Sequence, residues 1–431
     1  MKLGIGAIVS FVIILLLSCG NSEKKITKEK QKELDSIPRF DSLNWAKEYK
    51  FKKVNSVDRN IKKSFLTQFH QDFWVKSNVS GGLLVAQHGE IIFEAYTGSA
   101  DLSRESPMTA DTPLHLASIS KVLTAMAILK LAENTKIHLN KEVSAYLTDF
   151  PYEKVTIEDL LNHRSGIPNY LDFSDDKKYW DNTKMMSNQD VLDVLVTKKP
   201  PILAAPNKKF FYNNTNYVIL ALIIEKVTGL SYAEAMQIIV FNPLGMKSTF
   251  VMDFDRDKDI VSRSYYNNGK DWGYDHLDKT YGDKNIYSTP RDLLKMDVAM
   301  YSSKFLPEKL KEKAWQGYSY ESKGVKNYGY GMRLMEWSDD SKILYHNGKW
   351  HGNNTVYVRD PQSETTIIAL GNRLNRNIYT SFKLVGLFGD YPIQFPDSKV
   401  TGTKAGKDSL KKLDKEIDSV KQSSPKKKKK N

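Results

Sequence analysis

A serine stands three residues ahead of a lysine in Leu116-Ala117-Ser118-Ile119-Ser120-Lys121, just before an apolar run through Val122, Leu123, Met126 and Leu129 to Leu131. The run predicts a buried helix. Helical positions three apart share a face, so the Lys121 amine can stand beside the Ser118 hydroxyl. A serine hydroxyl is a weak nucleophile until a base takes its proton, and a desolvated lysine is able to do so. The helix N-terminus adds partial positive charge where an oxyanion would form, with the Ser118 backbone N–H as one donor to it. S-x-x-K alone is a cheap pattern in this Lys-rich chain, starting also at Ser22, Ser174, Ser409, Ser423 and Ser424. Only Ser118 opens an apolar helix. The plainer alternative for it is a capping serine on an exposed first turn.

Two further groups bear on this pair. Tyr212 and Asn214, in Phe211-Tyr212-Asn213-Asn214-Thr215-Asn216-Tyr217, precede a second apolar run through Val218, Ile219, Leu222, Ile223 and Val227 that Gly229 ends. A tyrosine near a lysine can relay a proton, and an amide can orient the lysine or hold a substrate carbonyl. His346-Asn347-Gly348 closes an Ile343-Leu344-Tyr345 strand and is the only H-x-G in the chain. Glycine there admits a substrate backbone along the strand, and the Lys349 N–H just beyond offers a second oxyanion donor.

These residues need a scaffold. Gly81 to Ala86 and Ile91 to Tyr96 flank His88-Gly89-Glu90 as strand, turn and strand. Lys342 to Tyr345, Asn354 to Arg359 and Thr365 to Leu370 are short β-rich runs near the other end. Between them the pattern is mostly helical. Strands at both ends of one body with a helical middle imply an α+β fold, an antiparallel β-sheet flanked by helices and closed by the two terminal parts, with an inserted helical subdomain.

The body runs over 61–395, and both ends of the 431-residue chain read as separable. Met1-Lys2, the apolar run Leu3 to Leu17 and Ser18-Cys19-Gly20 describe a secretory signal over 1–18. Residues 19–60 read as a charged tether. Residues 396–431 read as a Lys-rich disordered tail, with a weak helical stripe at Leu410, Leu413, Ile417 and Val420. Eleven lysines against four acidic residues in 401–431 give that tail more than half of the net charge of +13. An anionic envelope polymer is the partner such a tail suits, since export argues against nucleic acid. Cys19 is the only cysteine, which excludes an intrachain disulfide and multi-thiolate zinc sites. His163, His346 and His351 lack neighbouring acidic ligands in sequence, so no metal or other cofactor is expected. No G-x-S-x-G elbow or P-loop occurs.

S-x-x-K, Y-x-N and H-x-G at 118, 212 and 346, in that order, resemble the serine β-lactamase and penicillin-binding-protein superfamily, in its class C-like branch of D,D-carboxypeptidases and esterases. Leu160-Leu161-Asn162-His163-Arg164-Ser165-Gly166-Ile167-Pro168, Asn285 to Leu293 and Tyr328-Gly329-Tyr330-Gly331-Met332 are similar to further landmarks of that family. Leu16-Leu17-Ser18-Cys19 resembles a bacterial lipobox, which implies lipidation at Cys19 and a membrane anchor. Gly20 in place of Asp points, on the same resemblance, to the outer membrane where the host has one. The family resemblance implies an acyl-enzyme on Ser118, acid and base work shared by Lys121 and Tyr212, positioning by Asn214, and a pocket lined by His346, Gly348 and Lys349. It implies a small-molecule or peptide substrate: a D-amino-acid peptide, a β-lactam or a small ester. A second reading is a catalytically silent relative that binds a wall peptide in the same cleft. Many β-lactamases of this branch carry lysine where His346 stands, and a histidine of ordinary pKa, about 6.5, is mostly neutral at pH 7. Lys349 and Arg373 are the residues the sequence offers in place of that cation.

Overall fold

Residues 45–392, 415–420 and 422 are described in the computed structural model. The expected signal peptide, Cys19, most of the tether and most of the tail lie outside the described residues.

Seven strands form one sheet: β1 (Gly81–Gln87), β2 (Glu90–Thr97), β3 (Lys326–Tyr328), β4 (Arg333–Glu336), β5 (Lys342–Trp350), β6 (Asn353–Asp360) and β7 (Thr365–Gly371), in the order β2-β1-β7-β6-β5-β4-β3. All neighbours are antiparallel. The first strand pairs with the last, Gly81 opposite Gly371 through Gln87 opposite Thr365, which is the closure expected from the two terminal runs.

β1, β6 and β7 are buried at every position. Strands covered on both faces read as unbroken apolar runs and not as alternations. On one face, helix α1 (Ser56–Phe69) and the 3-10 segment Arg376–Leu387 contribute Leu66, Phe69, Phe382 and Val385 to a cluster with Leu83, Val85, Val356, Val358 and Ile367. Tyr357 alternates with Val356 and Val358 and so faces the other way. There its hydroxyl donates to Asp297 at 2.6 Å, on a helix spanning Pro290–Ala299, and Arg359 pairs with the same carboxylate at 2.9 Å.

The inserted region is built around two buried helices, α2 (Ser120–Glu133) and α3 (Thr215–Thr228), which pack together; Ile157–Leu161 and Asn188–Lys198 pack on α3. Gly229, at φ +69°, supplies the left-handed residue that ends α3. The insert is not purely helical: Leu114–His115, Phe250–Val251 and Ile286–Ser288 form a small antiparallel sheet beside α2. Strands of two or three residues carry no readable period, so the sequence shows no sign of them.

Both expected boundaries shift. The body begins before Ile61: Tyr49 and Phe51 each lie 5.1 Å from the Tyr301 ring, Glu48 pairs with Lys304 at 2.7 Å, and Asn55 caps α1. Within the expected disordered tail, Lys415–Val420 is helical, and Ile417 is buried in the same cluster as Leu384 and Val385. The weak apolar stripe there has a surface to dock on, which a charge count does not register. Among the described residues, no helix is long and apolar enough to cross a membrane.

Candidate active site

Ser118 sits in a single 3-10 turn, Ala117–Ile119, that runs directly into α2. Ala117 has φ +47°, a left-handed conformation that costs a residue with a Cβ on the order of 1–3 kcal/mol. Neighbours hold the turn there. The Ala117 N–H donates to His115 Nδ1 at 3.0 Å, and Thr355 Oγ1 on β6 donates to the Leu116 carbonyl at 2.9 Å. His115 Nε2 must then carry the ring proton, which it donates to Asn285 Oδ1 at 2.8 Å. Burial pushes the His115 pKa down to about 4, preserving the neutral ring that this acceptor role requires.

β5 passes the turn at a separation only glycine permits. A Cβ on Gly348 would overlap Thr355 Oγ1 and lie 2.8 Å from the Leu116 carbonyl oxygen and 2.9 Å from Ala117 Cβ. Gly348 and Lys349 therefore line the same cavity as Ser118, with the Lys349 side chain exposed.

Lys121, the second residue of α2, is fully buried. Its Nζ lies 3.3 Å from Ser118 Oγ, 2.7 Å from Asn214 Oδ1 and 2.9 Å from the Asp283 carbonyl oxygen. The last two are acceptors only. A neutral amine would keep its two hydrogens on them and turn its lone pair toward the serine. Asn214, at the start of α3, makes no side-chain cap to its own helix because its Oδ1 is taken by Lys121; Asn213 Oδ1 accepts from the Thr215 N–H at 2.9 Å instead. Tyr212 lines the cavity with its ring 5.3 Å from Lys121 Nζ.

The Leu160–Pro168 landmark fixes this tyrosine segment from behind. Asn213 Nδ2 donates to the Ile167 carbonyl at 2.6 Å, Ser165 Oγ donates to Asn216 Oδ1 at 2.7 Å, and the His163 ring lies 4.5 Å from Tyr212. Gly331 of the Tyr328–Met332 landmark lets that turn meet α2, where a Cβ would stand 2.7 Å from Ala125 Cβ.

His346 departs from expectation. It is fully buried and does not line the cavity; its neighbours Tyr345 and Asn347 do. Alternation along the strand turns its ring inward. Nδ1 donates to the Asn347 carbonyl at 2.9 Å, leaving Nε2 to accept from the Tyr328 hydroxyl at 3.1 Å. Burial first, then the Arg333 and Lys121 cations, holds its pKa well below the ordinary value. Its ring stands behind Tyr212, 6.1 Å between ring centroids.

The cavity, about 1130 Å³, is strongly basic: Lys284, Lys326, Arg333, Lys349 and Arg376 line it against the single carboxylate of Asp283. Arg373, the other cation considered in sequence, does not line it. Lys284, Asp283 and Arg333 were not legible as site residues, although Asp283 and Lys284 immediately precede the Asn285–Leu293 landmark and Arg333 immediately follows Met332. Lys284 is buried, bonded to the Tyr170 hydroxyl and to Thr280 Oγ1, and lies 4.4 Å from the Trp350 ring; burial lowers its pKa, with Asp283 opposing. Trp350 therefore both packs and lines. Asp275, Asp278 and His351 draw together outside the serine site, but Asp278 already accepts from His351 Nε2 at 3.0 Å and from the Trp350 indole at 2.7 Å.

Residues 66–380 match the family model described as Beta-lactamase. The chain belongs to the β-lactamase family. This β-lactamase-family chain is 31% identical to penicillin-binding protein 4* of Bacillus subtilis over 332 residues, covering 74% of this chain and 73% of the relative. It is 29% identical to the teichoic acid D-alanine hydrolase of Staphylococcus aureus over 267 residues, covering 61% of this chain and 63% of that one. A penicillin-binding protein structure from Bacillus halodurans shares the fold, with a TM-score of 0.64 at 24% identity over 74% of this chain and 98% of its own.

Proposed function

We propose that this protein is a serine hydrolase that cleaves an amide or ester through an acyl-enzyme on Ser118. Ser118 Oγ adds to the substrate carbonyl while its proton passes to the Lys121–Tyr212 pair. The oxyanion accepts from the backbone N–H groups of Ser118 and Lys349. Collapse expels the amine or alcohol, which takes the proton back from the same pair, and water then releases the acid by the reverse sequence. The arrangement of Lys121 carries this reading, with two fixed acceptors and the serine oxygen as its third neighbour. The substrates to test are D-alanyl peptides, β-lactams and D-alanyl esters, a choice supported by relatives named for penicillin binding and for hydrolysis of teichoic acid D-alanine.

Labelling by a fluorophosphonate or a fluorescent penicillin, abolished in a folded Ser118→Ala variant, is the expected result. No labelling by either probe overturns catalysis in favour of a cleft that only binds. Rates on nitrocefin, a D-Ala-D-Ala peptide and short p-nitrophenyl esters then rank the substrates. We place the protein in the cell envelope on the strength of Leu16-Leu17-Ser18-Cys19. Incorporation of labelled palmitate, lost in Cys19→Ser, is the corresponding test.

A further inference from the structure

Shortly before Tyr212 the chain runs Lys198-Lys199-Pro200-Pro201-Ile202-Leu203-Ala204-Ala205-Pro206-Asn207-Lys208-Lys209, and no Asp or Glu occurs from 194 to 224. Ile202 and Leu203 are 44% and 50% exposed, and the lysine pairs on either side of them are exposed as well. Among the described residues no carboxylate pairs with any of these lysines.

The loop is clamped along its length to the Leu160–Pro168 landmark. The Leu203 N–H donates to the Gly166 carbonyl at 2.7 Å and the Asn207 N–H to the Arg164 carbonyl at 2.8 Å, while the Tyr152 hydroxyl donates to the Pro200 carbonyl at 2.7 Å. Gly166 has φ +67°, and a Cβ there would overlap the Ala204 carbonyl oxygen. Arg164 returns two bonds to Asn207, from Nε to Oδ1 at 2.8 Å and from Nη2 to the carbonyl at 2.9 Å, and extends Nη1 to Ser319 Oγ at 3.1 Å. That bridge brings Tyr320, 72% exposed, alongside the loop. Backbone bonds thus hold two aliphatic side chains out in water, where they add nothing to the core. A soluble polyanion would engage the lysines but not the aliphatic tip. The surface of an anionic bilayer engages both, with ammonium groups at the phosphates and aliphatic side chains about 5–10 Å into the acyl boundary, the level at which tyrosine also concentrates.

We infer that this loop is a membrane-contact surface, which seats Ile202 and Leu203 in a bilayer of anionic lipid with Lys198, Lys199, Lys208 and Lys209 on the headgroups. It requires neither the serine-hydrolase reading nor lipidation at Cys19. The loop leads into Tyr212 three residues after Lys209, so the bilayer it touches lies beside the Tyr212 wall of the cleft.

A Cys19→Ser background leaves the full chain without a native thiol, and Leu203→Cys then carries a polarity-sensitive NBD fluorophore. On vesicles of phosphatidylcholine and phosphatidylglycerol its emission is expected to shift to the blue and to be quenched by lipids bearing a doxyl group near the headgroup. Ile202→Cys, at the other exposed aliphatic position, should report the same. Replacing the four lysines by Gln should raise the lipid concentration at half-response at least about tenfold. The same fluorophore at Ile260→Cys, an exposed aliphatic position outside the loop, should stay in water. No shift at 202 and 203, an equal shift at 260, or a parental response without the lysines overturns the assignment. A response to soluble polyphosphate that matches the one on vesicles, with no doxyl quenching, would replace the bilayer by a polymer and overturn it as well.

Discussion

In the proposed mechanism Lys121 is the residue on which the chemistry turns, and its surroundings separate what its neighbours do. Replacing it by Met removes the amine and is expected to lower the acylation rate by about 10²–10⁴-fold, the usual share of a positioned acid–base group. Asn214→Leu leaves the amine but takes away its closest acceptor. One buried donor then has no partner, at a cost of about 1–3 kcal/mol, and acylation should slow by roughly tenfold. Pre-steady-state labelling of Ser118 in the two variants and in the double variant measures both effects; a double loss no larger than that of Lys121→Met alone shows that Asn214 acts through Lys121, and additive losses show that it acts on substrate. Ser118, Lys121, Tyr212 and Asn214 were legible because short spacings ahead of two apolar runs placed them at helix starts. Asp283 was not, since it contributes a backbone carbonyl that no side-chain pattern announces. His346 was misplaced because residue type was read without asking which face of the strand it takes, and Arg333 was missed because only strand pairing brings it beside Tyr212.

At the level of elements, the serine turn and β5 are built against each other. A Cβ at Gly348 would collide with Thr355 Oγ1, the atom that steadies the Leu116 carbonyl, and with Leu116 and Ala117 themselves. Thr355 can rotate, but the backbone carbonyl cannot. Gly348→Ala is therefore expected to force β5 from the turn, destabilising the fold by about 1–3 kcal/mol and displacing the Lys349 N–H. Loss of one oxyanion donor costs about 10²-fold in rate or more. Probe-labelling rates together with urea midpoints test this, and a variant labelled at the parental rate would remove Lys349 from the oxyanion role. The sheet's outer logic was plain in sequence because its strands are long apolar runs. The close approach of β5 to Ala117 was not, since it joins residues more than two hundred positions apart.

Two features belong to the whole molecule. The helical piece Lys415–Val420 puts Ile417 into the main core cluster, so part of the Lys-rich C-terminal region completes the fold. Ile417→Ala should cost about 2 kcal/mol, read as a lower urea midpoint, and an unchanged midpoint would detach that helix from the core. The other feature is a set of three fully or nearly fully buried histidines. His115, His163 and His346 surround the site, and burial depresses all three pKa values, His115 to about 4 and the others well below their ordinary value. In the unfolded chain each titrates near about 6.5. Below that pH the unfolded chain takes up protons that the folded one does not, so these groups contribute their stability fully above about pH 6.5 and lose it as pH falls toward 4. Each adds a slope of up to about 1.4 kcal/mol per pH unit in that window. Urea unfolding at pH 7, 6 and 5 should show stability falling steeply with acid. His115→Asn, whose amide oxygen can accept from the Ala117 N–H in place of Nδ1, should lessen the slope by about one proton's share. A parental slope retained in that variant would mean that His115 is already protonated in the folded protein, and the serine turn would then lack the acceptor that holds Ala117 in its left-handed conformation.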